Sequence, residues 1–60
     1  MKELKRYADK YGYDFNIQIM DGDFNIFVNR GGTDLFSTGG HKTFSEAKTE
    51  VIKWIKRVNP

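Results

Sequence analysis

The sequence lacks cysteine entirely and contains one histidine and one proline among its 60 residues. Without cysteine the chain has neither a disulfide framework nor a thiolate metal site, and one histidine does not supply the usual ligand set of a zinc site. No apolar run approaches the roughly 20 residues of a membrane span, and residues 1–4 lack the apolar core of a signal peptide. We therefore expect a cytoplasmic protein with no cofactor and no membrane partner.

The formal net charge is only +2, but it is unevenly distributed. Residues 1–11 and 42–58 hold nine of the ten Lys and Arg residues and four acidic residues, whereas residues 12–41 hold one Arg and four Asp. The two ends are therefore basic and the middle is acidic, which affects the partner that each part can attract. Sixty residues allow a single domain, residues 1–60, and we expect modest stability unless the chain oligomerises.

The clearest pattern is a near-repeat, DFNIQI at residues 14–19 and DFNIFV at residues 23–28, on either side of Asp21-Gly22. Two alternating segments joined by Asp-Gly predict a β-hairpin with a type I′ turn. This turn sets Ile17 opposite Ile26 and puts six apolar side chains on one face. They are Phe15, Ile17, Ile19, Phe24, Ile26 and Val28.

A second turn is predicted at residues 30–33, which include Gly31 and Gly32, and a third strand at residues 34–38. We expect this strand to place Leu35 beside Val28 on the core face. Phe36 then lies beside Phe27 on the opposite face.

Helices are predicted on both sides of these strands. Apolar residues spaced three and four apart in residues 1–11 indicate an amphipathic helix, which Gly12 ends in a left-handed cap. Thr43 and Glu46 form a capping box that begins a second helix, which Asn59-Pro60 ends. Its predicted buried stripe is Ala47, Val51, Trp54, Ile55 and Val58, with Ile52 at the margin. The expected fold is α+β, a three-stranded antiparallel meander with both helices packed on its apolar face (α-β-β-β-α).

The face left open to solvent is the first candidate site. Phe27 and Phe36 are predicted neighbours at its centre, and an aromatic pair among polar groups is typical of a protein-contact surface. The alternative is a cross-strand pair that contributes only about 0.2 to 1 kcal/mol to sheet stability. The complete candidate protein-binding set is Phe27, Phe36, Asn16, Gln18, Asn25 and Asp34.

Basic stripes on the predicted helices give the second candidate site, because rows of cations can follow a phosphate backbone. The alternative is that they are the solvated faces of amphipathic helices. The candidate nucleic-acid-binding residues are Lys2, Arg6, Lys10, Lys42, Lys53, Lys56 and Arg57.

Signals for catalysis and metal binding are weak. The glycines at residues 39–40 precede Lys42 and a helix, but His41 interrupts the phosphate-loop pattern. Asp21-Gly22-Asp23 lacks the ligand spacing of a calcium loop. No nucleophile or orienting carboxylate is placed beside His41 by spacing. We therefore expect a protein that is not an enzyme.

Two resemblances follow from these elements. The order helix, three strands, helix resembles the double-stranded RNA-binding domain, and residues 46–48 lie where that family begins its second helix. Residues 40–47 also resemble the junction between the last strand and the helix in arm-type DNA-binding domains of tyrosine integrases. Both resemblances imply a nucleic-acid partner. A chain this short and rich in Asn, Lys, Ile, Tyr and Phe further resembles small inhibitors and adaptors of phages and mobile elements.

From the sequence we predict a non-enzymatic binding module that docks on a protein partner through the open sheet face or a strand edge. An inhibitor or adaptor is the expected role, and self-association as a homodimer is a further option. The alternative is a nucleic-acid-binding domain that uses the basic helix faces.

Overall fold

The computed structural model describes residues 2–60 and contains two helices and three strands. They are α1 (Lys2–Tyr11), β1 (Asp14–Met20), β2 (Asp23–Arg30), β3 (Thr33–Ser37) and α2 (Phe44–Val58). The strands form one antiparallel sheet in the order β1-β2-β3. The predicted α+β class and the α-β-β-β-α order are confirmed. The helix predicted to include Met1 cannot be compared there, because that residue lies outside the described part.

The first hairpin has the predicted turn and register. Asp21 and Gly22 have φ values of 52° and 78°, as a type I′ turn requires at both central positions. Seven residue pairs follow without interruption, and Ile17 lies opposite Ile26. This register puts the alternating apolar residues of β1 and β2 on one face, as predicted.

The second hairpin also begins with a tight turn, but its register shifts. Gly31 and Gly32 both have positive φ, 55° and 84°. Asn29 pairs with Asp34, and the next pair joins Val28 to Phe36, so one residue of β3 has no partner in β2. That residue is Leu35, and the irregularity is a β-bulge.

The predicted faces of Leu35 and Phe36 are therefore wrong. Phe36 lies opposite Val28 and stacks on Trp54 of α2, with ring centroids 5.0 Å apart and planes 10° from parallel. Leu35 is 38% exposed. The extra residue turns the larger aromatic ring toward α2, where it packs against a second ring, instead of toward solvent.

Residues after β3 continue to bond with β2. Thr38 N donates to Ile26 O at 3.0 Å, and Ile26 N donates to the Thr38 hydroxyl at 3.0 Å. Phe24 and His41 exchange two backbone hydrogen bonds of 2.7 and 3.0 Å. Residues 38–41 therefore run along β2 and lead the chain to the start of α2.

Both helices pack on the same face of the sheet, around one hydrophobic core. Its buried residues are Leu4, Tyr13, Ile26, Val28, Ala47, Val51 and Ile55. Two residues predicted to be in the core lie outside it, because each is near the end of its element: Ile19 is 65% exposed and Val58 is 48% exposed.

The helix ends follow the predicted capping chemistry except for one contact of the capping box. Gly12 has a φ of 75°, and its N–H donates to Ala8 O at 2.8 Å. The Thr43 hydroxyl accepts from Glu46 N at 3.2 Å and donates to the Glu46 carboxylate at 3.0 Å, so the carboxylate bonds the hydroxyl and not the Thr43 amide. Among residues 2–60, neither helix combines the length and apolar character needed to cross a membrane.

Candidate protein-binding surface

The side of the sheet without helices is called the open face here. Phe27 lies at its centre, because β2 is the central strand. Its neighbours across the sheet are Asn16 in β1 and Ser37 in β3, and its side chain is half-buried. The open face therefore has one aromatic residue at its middle, and not the predicted pair.

Ser37 takes the place opposite Phe27 that was predicted for Phe36, and Leu35 lies near it at β3. A shallow cavity of about 380 Å³ is lined by Phe27, Asp34, Leu35, Phe36 and Ser37. Leu35 is the bulged residue and is 38% exposed, so it adds apolar surface to this cavity. Sequence reasoning missed this role, because the bulge that creates it has no clear signature in the alternating pattern.

The predicted polar neighbours divide into accessible and inaccessible residues. Asn16, Gln18 and Asp34 are exposed, and Asp34 lines the cavity. Asn25 is only 8% exposed, and its Nδ2 donates to Asp23 O at 3.2 Å. The prediction that Asn25 presents an amide to a partner is therefore not supported by its position, since this amide serves the fold.

An aromatic cluster that the sequence analysis did not predict lies on the helix-covered side. Tyr13 is 4% exposed, and its ring centroid lies 5.6 Å from that of Trp54. The Arg30 guanidinium lies 4.6 Å from the centroid of the Tyr13 ring. Trp54 stacks in turn on Phe36. The available signal was the alternation of Tyr13, Phe15 and Ile17, which puts Tyr13 on the core face when it is extended one step backwards.

Two of the predicted nucleic-acid-binding residues lie together beside this cluster. Lys53 and Arg57 line a cavity of about 230 Å³ with Phe36, Glu50 and Trp54. The arrangement offers two cations and the ring of Trp54 to a ligand, with one carboxylate beside them.

The other predicted cations are spread over the molecule. Lys10 lies 5.3 Å from the centroid of the Tyr11 ring, and Lys42 Nζ lies 3.2 Å from Asp23 Oδ1. Lys2 and Arg6 are exposed in α1, and Lys56 is exposed in α2. The seven predicted residues are therefore divided among α1, Lys42 and α2, and nucleic-acid binding by the two helix stripes stays a prediction.

His41 is held by the fold through both its backbone and its side chain. Its Nε2 lies 2.5 Å from Glu50 Oε1, so the fold brings a carboxylate beside His41 that the sequence spacing did not predict. This contact also ties residues 38–41 to α2. The same segment approaches Asp23 closely, since a Cβ at Gly40 would lie 3.0 Å from Asp23 Cβ. The glycine at residue 40 thus lets the segment pass the start of β2.

These features describe a small α+β domain with two helices on one side of an antiparallel sheet, a polar open face around Phe27, and a cavity at β3 that Phe27 and Leu35 line. No protein-family model matches the chain, and comparisons with curated proteins and with solved structures gave no significant match. The resemblances to double-stranded RNA-binding and integrase arm domains stay predictions.

Proposed function

We propose that this chain is a non-enzymatic cytoplasmic module that binds a protein partner through the open face. The observation that carries the proposal is a shallow cavity at β3, which is lined both by Phe27 of the open face and by the exposed Leu35. Aromatic and aliphatic groups that become desolvated at the centre of a contact account for much of the affinity of protein interfaces.

The charge of this region favours a basic partner. Asp34 lines the cavity, and residues 12–41 carry four Asp against one Arg. The complementary surface is an apolar side chain flanked by Lys or Arg, since opposite charges at the edge of an interface speed association and disfavour other partners. Asn16 and Gln18, which are exposed, supply amides for hydrogen bonds at the same face.

Binding would itself be the activity, as in the small inhibitors and adaptors that the sequence resembles. An inhibitor of this kind occupies a site on a larger protein, and an adaptor joins two proteins. The proposal rests on the open face alone and draws nothing from His41, which contacts Glu50 and the backbone of Phe24.

A photo-crosslinking amino acid at position 27 tests the proposal in cells that produce the protein. We expect a discrete adduct with one protein, and excess unlabelled wild-type chain should compete with its formation. The Phe27→Ser variant should fold but compete at least tenfold less well, because losing one central aromatic group costs about 2 kcal/mol of binding.

The same crosslinker at Lys56, which is exposed on α2, is the matched control. An adduct from position 56 with none from position 27 would show that the binding surface lies on the helices and would contradict the proposal. Equal competition by Phe27→Ser and wild type would also contradict the proposal.

A nucleic acid is the second candidate partner, and the cavity beside Trp54 favours it. Lys53 and Arg57 lie there with an aromatic ring, the combination that single strands use for phosphate contact and base stacking. If a single strand binds, Lys53→Ala and Arg57→Ala should each weaken binding to oligothymidylate and reduce the salt slope by about 0.7.

Lys5→Ala is the control for this second candidate. Lys5 Nζ lies 3.6 Å from Asp9 Oδ2 on α1, and the residue is absent from the cavity beside Trp54. Affinity for oligothymidylate that does not respond to salt, or that falls equally in all three variants, would remove this candidate.

A further inference from the structure

The two edges of the sheet differ in how well they are protected against pairing with another strand. β3 has five residues and a bulge, both of which discourage edge-to-edge association. β1 has seven residues, all of which pair with β2 in unbroken register. It contains no Lys, Arg or Pro, the residues that commonly block an exposed edge.

The backbone of β1 presents free hydrogen-bonding groups at this edge. Phe24 and Ile26 direct their N–H and C=O groups toward residues 38–41. Their partners in β1, Ile19 and Ile17, must then direct theirs away from β2, because the two residues of such a pair point in opposite directions. Within residues 2–60, no hydrogen bond outside the helices and strands involves these outward groups.

An apolar groove lies beside the same strand. It has a volume of about 420 Å³, and its apolar lining comes from Leu4 and Ala8 of α1 and from Phe15 of β1. The other lining residues are Lys2, Lys5, Tyr13 and Asp14. Ile19 lies toward the other end of β1 and is 65% exposed, the largest exposure among the large hydrophobic residues of the described chain. One molecule therefore carries both an apolar groove and an unburied apolar side chain along one strand.

We propose that two copies of this chain pair through their β1 strands, antiparallel and centred on Ile17, so that Ile19 of each copy enters the groove of the other. In this register Phe15 faces Ile19 of the second copy, and Asn16 faces Gln18. The outward groups of residues 15, 17 and 19 pair with the same groups of the second copy, as an antiparallel ladder requires. Apolar side chains then meet on the helix-covered face, and amides meet on the open face.

Charge complementarity favours a second copy as the occupant. The groove is lined by two cations, Lys2 and Lys5, and by one carboxylate, Asp14. The register brings Asp21 of the second copy level with Tyr13 in this groove, whereas Asp14 is level with the uncharged Met20. The acidic turn of each copy thus approaches Lys2 and Lys5 on α1 of the other, of which Lys5 also lies 3.6 Å from Asp9. A two-fold axis repeats this contact, which is characteristic of isologous interfaces.

This dimer does not depend on the proposed function of the open face. Pairing of the two β1 strands extends the sheet sideways and keeps both sets of helices on one side. Phe27 and Leu35 of each copy stay accessible, because the cavity that they line lies at β3.

Sedimentation velocity over a concentration series tests the pairing. We expect the wild-type chain to form dimers, and Ile19→Lys should raise the dimer dissociation constant at least about tenfold, because it removes an apolar group from the groove and brings a cation toward Lys2 and Lys5. Leu35→Lys is the matched control, since it puts the same charge on an exposed apolar position of the other edge strand. A wild-type chain that stays monomeric at millimolar concentration, or equal effects of both variants, would overturn the proposal.

Disulfide trapping tests the register, because the chain has no cysteine of its own. Asn16→Cys and Gln18→Cys change exposed residues that face each other only across the proposed dimer. Directly opposed residues of this type lie about 4.5 Å apart at Cα, whereas identical positions lie beyond the roughly 7 Å limit for a disulfide. We expect crosslinked dimers when the two variants are mixed and none from either alone. Crosslinking of either variant with itself, or no crosslinking in the mixture, would overturn this register.

Discussion

The two hairpins of the sheet share β2 and have nearly the same turn, yet only the first keeps an unbroken register. Both turns have positive φ at their two central residues, 52° and 78° in the first and 55° and 84° in the second. In the first hairpin seven pairs follow the turn, whereas the second shifts by one residue after only two pairs. A turn therefore fixes the pairing beside it, but packing decides whether that pairing continues.

The packing that decides the second hairpin comes from α2. Phe36 stacks on Trp54, and Trp54 also contacts Tyr13. A regular register would have directed Leu35 to this position and Phe36 to solvent. The first hairpin has no such competition, because in both of its strands the residues of one face are apolar and those of the other are mostly polar.

The largest expected effect comes from removing the ring that holds β3. Trp54→Ala should lower the free energy of unfolding by about 3 to 5 kcal/mol, because it takes contacts from both Phe36 and Tyr13 and leaves a cavity. A domain of this size rarely has more than about 3 to 5 kcal/mol of stability. Urea or thermal denaturation should therefore show a mostly unfolded variant.

Trp54→Phe is the control, since it keeps an aromatic ring at the stacking position. We expect it to stay folded, with a loss of less than about 1.5 kcal/mol. Wild-type stability in Trp54→Ala would show that stacking on α2 does not determine the position of β3.

The sequence predicted the first hairpin more accurately than the second. Asp21-Gly22, the alternating arms and the Thr43 cap are local signals, and each was sufficient to place its element. The bulge at Leu35 depends on a contact between Phe36 and a helix that begins several residues later. Local alternation carries no information about that contact.

The positions of the candidate surface residues were predicted correctly where the strand register was predicted correctly. Phe27, Asn16 and Gln18 belong to the first hairpin and lie where they were predicted. Phe36 lies on the helix-covered face and not on the open face, because the bulge shifts the register of β3. Asn25 belongs to β2 as well, but its burial reflects how the chain packs around the start of that strand, which alternation does not report.

Deleting one residue from β1 should disrupt the first hairpin, whose register is fixed by its turn. Removal of Gln18 leaves the pairs next to Asp21-Gly22 in place but sends Ile17 and Phe15 to the open face. Both side chains pack against the core, so we expect the free energy of unfolding to fall by about 2 to 4 kcal/mol in urea denaturation. Gln18→Ala, which changes an exposed side chain without shifting the register, should lie within about 0.5 kcal/mol of wild type. A Gln18 deletion as stable as Gln18→Ala would contradict the face assignment of β1.

Deleting Leu35 from β3 should have the smallest effect, although it is also a one-residue deletion in an edge strand. Without Leu35, the pairs Asn29 with Asp34 and Val28 with Phe36 become neighbours, and the ladder becomes regular. Phe36 keeps its place on Trp54, so the loss is one partly exposed side chain, and the free energy of unfolding should change by less than about 1 kcal/mol.

Urea denaturation measures that change, and nuclear Overhauser contacts between the rings of Phe36 and Trp54 report whether the stacking survives. A loss as large as that of the Gln18 deletion would mean that the bulge is needed to bring Phe36 to Trp54.

The Leu35 deletion also separates folding from binding, because Leu35 lines the same cavity as Phe27. If the open face binds a protein, the variant should fold like wild type and compete less well for the partner crosslinked from position 27. Stability and binding that both match wild type would place the contact elsewhere on the open face.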